Sequence, residues 1–76
     1  MTRAYVLITT EIGRGDDVYS TLGEWEEVTE VNIVAGTYDI VAIVESQSAR
    51  DIGRIVMDRM QRIDGVMSTV TLMAIR

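Results

Sequence analysis

Hydrophobic positions along the chain recur with two periods, two residues and about 3.6 residues. Residues 3–10 are a β-branched, apolar run in which neither alternating row is polar. Such a run predicts a central strand buried on both faces. Glu11 to Gly15 predict a loop broken by Gly13 and Gly15. Val18, Leu22 and Trp25 then recur at helical spacing and predict a first helix, with Asp16 or Asp17 at its N-cap. Gly23 weakens that helix, and close packing on a sheet would account for it. Glu24, Glu26 and Glu27 read as a solvated exit. A second strand is predicted from about Val28 to Ala35 and a third from Tyr38 to Glu45. Ser48 followed by Asp51 resembles a capping box, and Ile52, Ile55, Val56, Met60 and Ile63 repeat behind it at helical spacing. Asp64-Gly65 ends the second helix, with Gly65 suited to a left-handed C-cap. Residues 66–75 read as a last strand, in which Met67, Thr69, Thr71 and Met73 alternate with Ser68, Val70, Leu72 and Ala74.

The stretch Ile33 to Val41 organises the rest. Two apolar strands meet at Gly36-Thr37, which predicts a two-residue hairpin loop. Ala35 then opposes Tyr38, and Val34 opposes Asp39. This register sorts the strands into two faces. One carries Thr29, Val31, Ile33 and Ala35 beside Tyr38, Ile40, Ala42 and Val44, and is apolar enough for helices to cover. The other carries Val28, Glu30, Asn32 and Val34 beside Asp39, Val41, Ile43 and Glu45. It is mixed, yet too apolar for plain solvent exposure. Asp39 is the one residue that strand propensity disfavours here. Either it braces loop amides or faces solvent at the hairpin end, or it serves a ligand.

The order is βαββαβ. Right-handed crossovers and short connections select an α+β, ferredoxin-like sandwich, with the first and third strands central and both helices on one face. Residues 1–76 are expected to form a single domain, with no linker or low-complexity segment. A chain of 76 residues is short for independent stability, and oligomerisation is the usual remedy. The open sheet face therefore predicts a dimer of the α/β-barrel type, two sheets packed face to face.

Charge and composition narrow the chemistry. With neither cysteine nor histidine there is no disulfide framework, thiolate or imidazole. The net charge is −5, and the seven arginines form no basic arm, so direct nucleic-acid binding is not expected. The apolar runs are too short for a membrane span or leader, and a cytoplasmic location is the default expectation. No phosphate loop, metal-ligand spacing or nucleophile with a base is present. No catalytic residue, metal or cofactor is expected. Thr69 and Thr71 place two hydroxyls on one face of the last strand. They are good strand formers and also candidates to line a small polar cavity.

The hairpin from Val34 to Ala42 resembles the Gly-x-Tyr-Asp hairpin of leucine-responsive, Lrp/AsnC-type regulators. The strand opening Ala4 to Ile8 is similar to the start of their effector domain, also called the RAM domain. The ending Gly65 to Thr71 is similar to its close. The likeness covers nearly the whole chain in order. It implies dimerisation through the sheets, assembly of dimers into rings such as octamers, and amino-acid effectors held between dimers near the hairpin. It carries over Gly36, Tyr38 and Asp39, with Thr69 and Thr71, as ligand-binding residues; Thr37 joins them because the Gly36-Thr37 turn can present main-chain N–H groups to a carboxylate. The regulators' N-terminal helix-turn-helix has no counterpart here, so the resemblance implies a stand-alone module that senses an amino acid or co-assembles with full-length regulators. Two alternatives differ in class: a small dimeric enzyme of the monooxygenase or isomerase type, and a scaffold that binds no ligand.

Overall fold

A computed structural model describes residues 1–76. Four strands, β1 (Thr2–Thr10), β2 (Val28–Ile33), β3 (Ile40–Ser46) and β4 (Val66–Met73), form one antiparallel sheet in the order β2-β3-β1-β4. Helix α1 (Gly15–Gly23) joins β1 to β2, and α2, a helical segment over residues 49–62, joins β3 to β4. This is the expected βαββαβ order with β1 and β3 central. Ala4, Val6 and Ile8 of β1 and Ile40, Ala42 and Val44 of β3 are wholly buried under Val18 and Leu22 of α1 and Ile52, Val56 and Met60 of α2. The intervening row, Tyr5, Leu7, Val41 and Ile43, is only half-buried. The first strand is therefore closed on one face, and the second face has no cover within the chain.

The expected register holds in the ladder: Ile33 pairs with Ile40, Asn32 with Val41, Val31 with Ala42 and Glu30 with Ile43. It breaks between Val28 and Glu30, where an extra residue makes a bulge and Val28 comes to oppose Val44. Val28 thus packs against the helix-side core instead of lying on the open face. A second bulge, between Thr9 and Thr10, sets Val66 opposite Thr10.

Helix ends depart from expectation in instructive ways. Asp16 and Asp17 lie inside the first turn of α1, and Arg14 is the N-cap without a side-chain cap bond. Their carboxylates still favour the positive end of the helix dipole. Gly23 ends α1 with open space where a Cβ would stand, so close packing does not explain it. Ser48 does cap α2: its Oγ accepts from Asp51 N–H at 3.2 Å. That helix is regular over Ala49–Arg54, widens into a π-helical turn over Ile55–Arg59 and tightens to a 3₁₀ turn over Met60–Arg62. Arg59, at the junction, lies 4.2 Å over the Trp25 ring and donates to Glu27 Oε2 at 2.7 Å. Glu27 is thus part of a clasp between helices and sheet, not solvated exit. Its carboxyl is held below the usual glutamate range, first by its own backbone N–H and then by the Arg59 guanidinium.

Gly65 has φ +102°, and a Cβ there would stand 2.8 Å from Arg14 Cβ. Gly65→Ala is expected to cost at least about 1–2 kcal/mol, from the positive φ alone. Gly23→Ala, which meets no atom, is expected to gain about 0.4–1 kcal/mol. Urea unfolding of both variants measures these opposite signs.

The depressed Glu27 carboxyl contributes stability that is complete above the unfolded glutamate value and is lost as pH falls through the lower folded value. Urea midpoints taken across the acid range should show this loss in the native protein and a shallower loss in Glu27→Gln.

Candidate functional site

The hairpin residues are set by main-chain bonds, not by a closed two-residue turn. The strands end at Ile33 and Ile40, and residues 34–39 form an open loop. Val34 N–H still donates to Asp39 O at 2.9 Å, so the register persists for one pair beyond the ladder. Gly36 has φ +143°, and no non-glycine residue has positive φ. A type I′ turn needs positive φ at both central positions, so Gly36-Thr37 does not make one. Asp39 N–H donates to Ile8 O at 2.9 Å, which ties the start of the third strand to β1.

Asp39 Oδ2 accepts from Thr10 N–H at 2.8 Å, with the Thr10 hydroxyl a longer contact at 3.4 Å. Thr10 stands at the bulge that ends the β1–β4 ladder, so the carboxylate satisfies a main-chain donor at that irregularity. This is the bracing role weighed from the sequence. It engages one oxygen of the pair and leaves Oδ1 with no partner in the chain. Gly36 and Thr37 are exposed, and Tyr38 is half-buried.

Thr69 and Thr71 are placed differently. Thr69 pairs with Ile8, which pairs with Ile40, and Thr71 lies in the row of Val6 and Ala42. Both sit on the helix side of the outer strand β4, two strand spacings from β3, about 10 Å. Thr69 Oγ1 accepts from Gln61 Nε2 at 2.9 Å. The structure brings Gly36, Thr37, Tyr38 and Asp39 together at one end of the sheet and does not bring the two threonines to them. Two residues at that end escaped the sequence reading. Thr10 is Asp39's partner through its main-chain N–H. Ile12 is fully exposed in the loop after β1.

The hairpin lines no concavity within one chain. A cavity of about 480 Å³, lined by Arg3, Tyr5, Glu45 and Arg76 among others, lies at the opposite end of the sheet. A smaller one of about 270 Å³ adjoins Glu26, Glu27 and Gln47. No group of three or more acidic, histidine or cysteine residues is arranged to hold a metal ion, and no helix is long and apolar enough to cross a membrane.

This sheet, with its helices on one face and its braced hairpin, defines an effector-domain architecture, and residues 3–76 match the Lrp/AsnC ligand binding domain. The chain belongs to the Lrp/AsnC ligand-binding domain family. It is 36% identical over 76 residues to the uncharacterised helix-turn-helix-type transcriptional regulator PH1916 of Pyrococcus horikoshii, covering 96% of this chain and 51% of that protein. It thus spans about half the length of such curated relatives. The crystal structure of TTHA0845 from Thermus thermophilus superposes with a TM-score of 0.94 at 33% identity, covering 100% of this chain and 95% of that one. A feast or famine regulatory protein of M. tuberculosis (Rv3291c), crystallised with L-methionine, superposes with a TM-score of 0.85 at 27% identity. There the match covers 100% of this chain and 51% of that one.

The Asp39 brace is separable from a ligand role. Asp39→Ala leaves the Thr10 N–H without its acceptor and is expected to cost about 1–3 kcal/mol, whereas Asp39→Asn keeps an acceptor oxygen and should cost less. Thermal denaturation of the two variants checks the order.

Proposed function

We propose that this chain is a non-catalytic, amino-acid-responsive oligomeric module of transcriptional control, with residues 1–76 acting as one ligand-binding unit. The observation that carries the reading is Asp39, fixed by Thr10 through one oxygen and unpartnered at the other, beside a glycine loop at a sheet end. An amino acid presents a carboxylate and an ammonium on one carbon. Exposed amides at Gly36 and Thr37 suit the carboxylate, and the free oxygen of Asp39 suits the ammonium. Tyr38 would flank the ligand. We assign the ligand's charged groups to the hairpin alone, because Thr69 and Thr71 lie two strands away. The L-methionine complex of a relative supports this ligand class. A pocket-free hairpin needs a second wall, and in this reading a neighbouring copy supplies it.

Assembly begins at the open sheet face. Tyr5, Leu7, Val41 and Ile43 are half-buried there, and Val70 and Leu72 of β4 are 40% and 50% exposed. Full burial of such a side chain is worth about 1.5–3 kcal/mol, so pairing two sheets face to face is the natural cover. In this reading larger rings, and full-length Lrp/AsnC regulators as partners, follow from the dimer. A net charge of −5 leaves duplex binding to such partners, and the working compartment is the cytoplasm.

Thermal-shift screening with the free amino acids should raise the melting temperature for a few of them in the wild type. The rise should fall in Gly36→Val and in Asp39→Asn. No shift with any amino acid would remove the sensor reading. Sedimentation should show a dimer or larger for the wild type, and Val41→Glu should dissociate or unfold it. A well-folded wild-type monomer at micromolar concentration would overturn the face-to-face dimer.

A further inference from the structure

A cavity of about 480 Å³ stands at the end of the sheet away from the hairpin. Arg3 and Glu45 oppose each other there, across β1 and β3, in the row of the open face. Arg3 Nε and Nη2 both reach Glu45 Oε2, at 2.8 and 2.7 Å, so the carboxylate's charge is already engaged. Ala74 N–H donates to Arg3 O at 2.9 Å, which carries the β1–β4 pairing one residue past β4. Arg76 follows and lines the same cavity, yet it forms no ion pair. The cavity thus sets two guanidiniums against one carboxylate, in a chain whose net charge is −5.

The rest of the lining is of another kind. Tyr5, Ala74 and Ile75 supply apolar surface, and Ile75 is 91% exposed. An uncompensated guanidinium attracts an anion, and its planar fork matches the two oxygens of a carboxylate. The cavity's volume falls within the roughly 300–1,000 Å³ of small-molecule sites. We propose that this cavity binds a small organic carboxylate, with Arg76 on the carboxylate and Tyr5 and Ile75 against an apolar body. An ammonium on the same ligand would meet the charge of Arg76 while Glu45 is held by Arg3. A simple carboxylate is therefore favoured over a zwitterionic amino acid. The site shares no residue with the hairpin, so it stands whether or not an amino acid binds there.

Hydrocinnamate and isocaproate are phenylalanine and leucine without the ammonium, and calorimetric titration of all four tests the site. At least one of the two carboxylates should bind the wild type, and Arg76→Gln should weaken it about tenfold or more. That variant leaves the Arg3–Glu45 pair in place. Circular dichroism and sedimentation check that it folds and assembles as the wild type does. Asp39→Asn should leave the carboxylate's affinity unchanged. In the same Asp39→Asn protein, where the hairpin has lost its charge, the matching amino acid should bind about tenfold or more weakly than the carboxylate. Four outcomes would each overturn the proposal. They are no heat with either carboxylate, wild-type affinity in Arg76→Gln, loss of carboxylate binding in Asp39→Asn, and an amino acid that matches its carboxylate in Asp39→Asn.

Discussion

A sheet whose two central strands are apolar on both rows has to be covered twice, and this chain carries only one cover. Ala4, Val6, Ile8, Ile40, Ala42 and Val44 vanish beneath the helices. Tyr5, Leu7, Val41 and Ile43, one residue out of phase with them, do not. Period-two alternation allows no compromise, since each strand residue faces one side or the other. The helices and the hairpin are arranged around that one-sided closure.

Much of this could be read from residue types. Apolar period and breakers located every strand and both helices, and the Gly36-Thr37 centre fixed the Ile33–Ile40 register. What escaped were one-residue irregularities. A bulge beside Val28 reverses that side chain's face, and nothing in Val-Thr-Glu marks where the extra residue falls. The π-helical turn at Ile55–Arg59 leaves Ile52, Val56 and Met60 buried, so the hydrophobic period shows no fault there. Both features coincide with contacts distant in sequence: Val28 against Val44, and Arg59 against Trp25 and Glu27.

The candidate site was legible in part. Asp39 stood out because an acid in an apolar strand calls for a reason, and one of the roles considered for it, bracing a main-chain amide, is seen at Thr10. Its partner Thr10 was not evident, because a main-chain donor at a strand end carries no side-chain signature. Thr69 and Thr71 shared a face as expected, but sheet order and strand spacing separate them from the hairpin. Alternation within one strand says nothing of how far apart two strands lie.

Trp25 is the chain's one tryptophan, and a guanidinium rests on its ring. Tryptophan emission therefore comes from a single place, the joint where the first helix hands over to the outer strand. Because Arg59 belongs to the other helix, that signal senses whether the two halves of the fold are still gripping each other. The protein thus carries its own optical probe of the seam between its two βαβ units, distant from the hairpin where a ligand would sit.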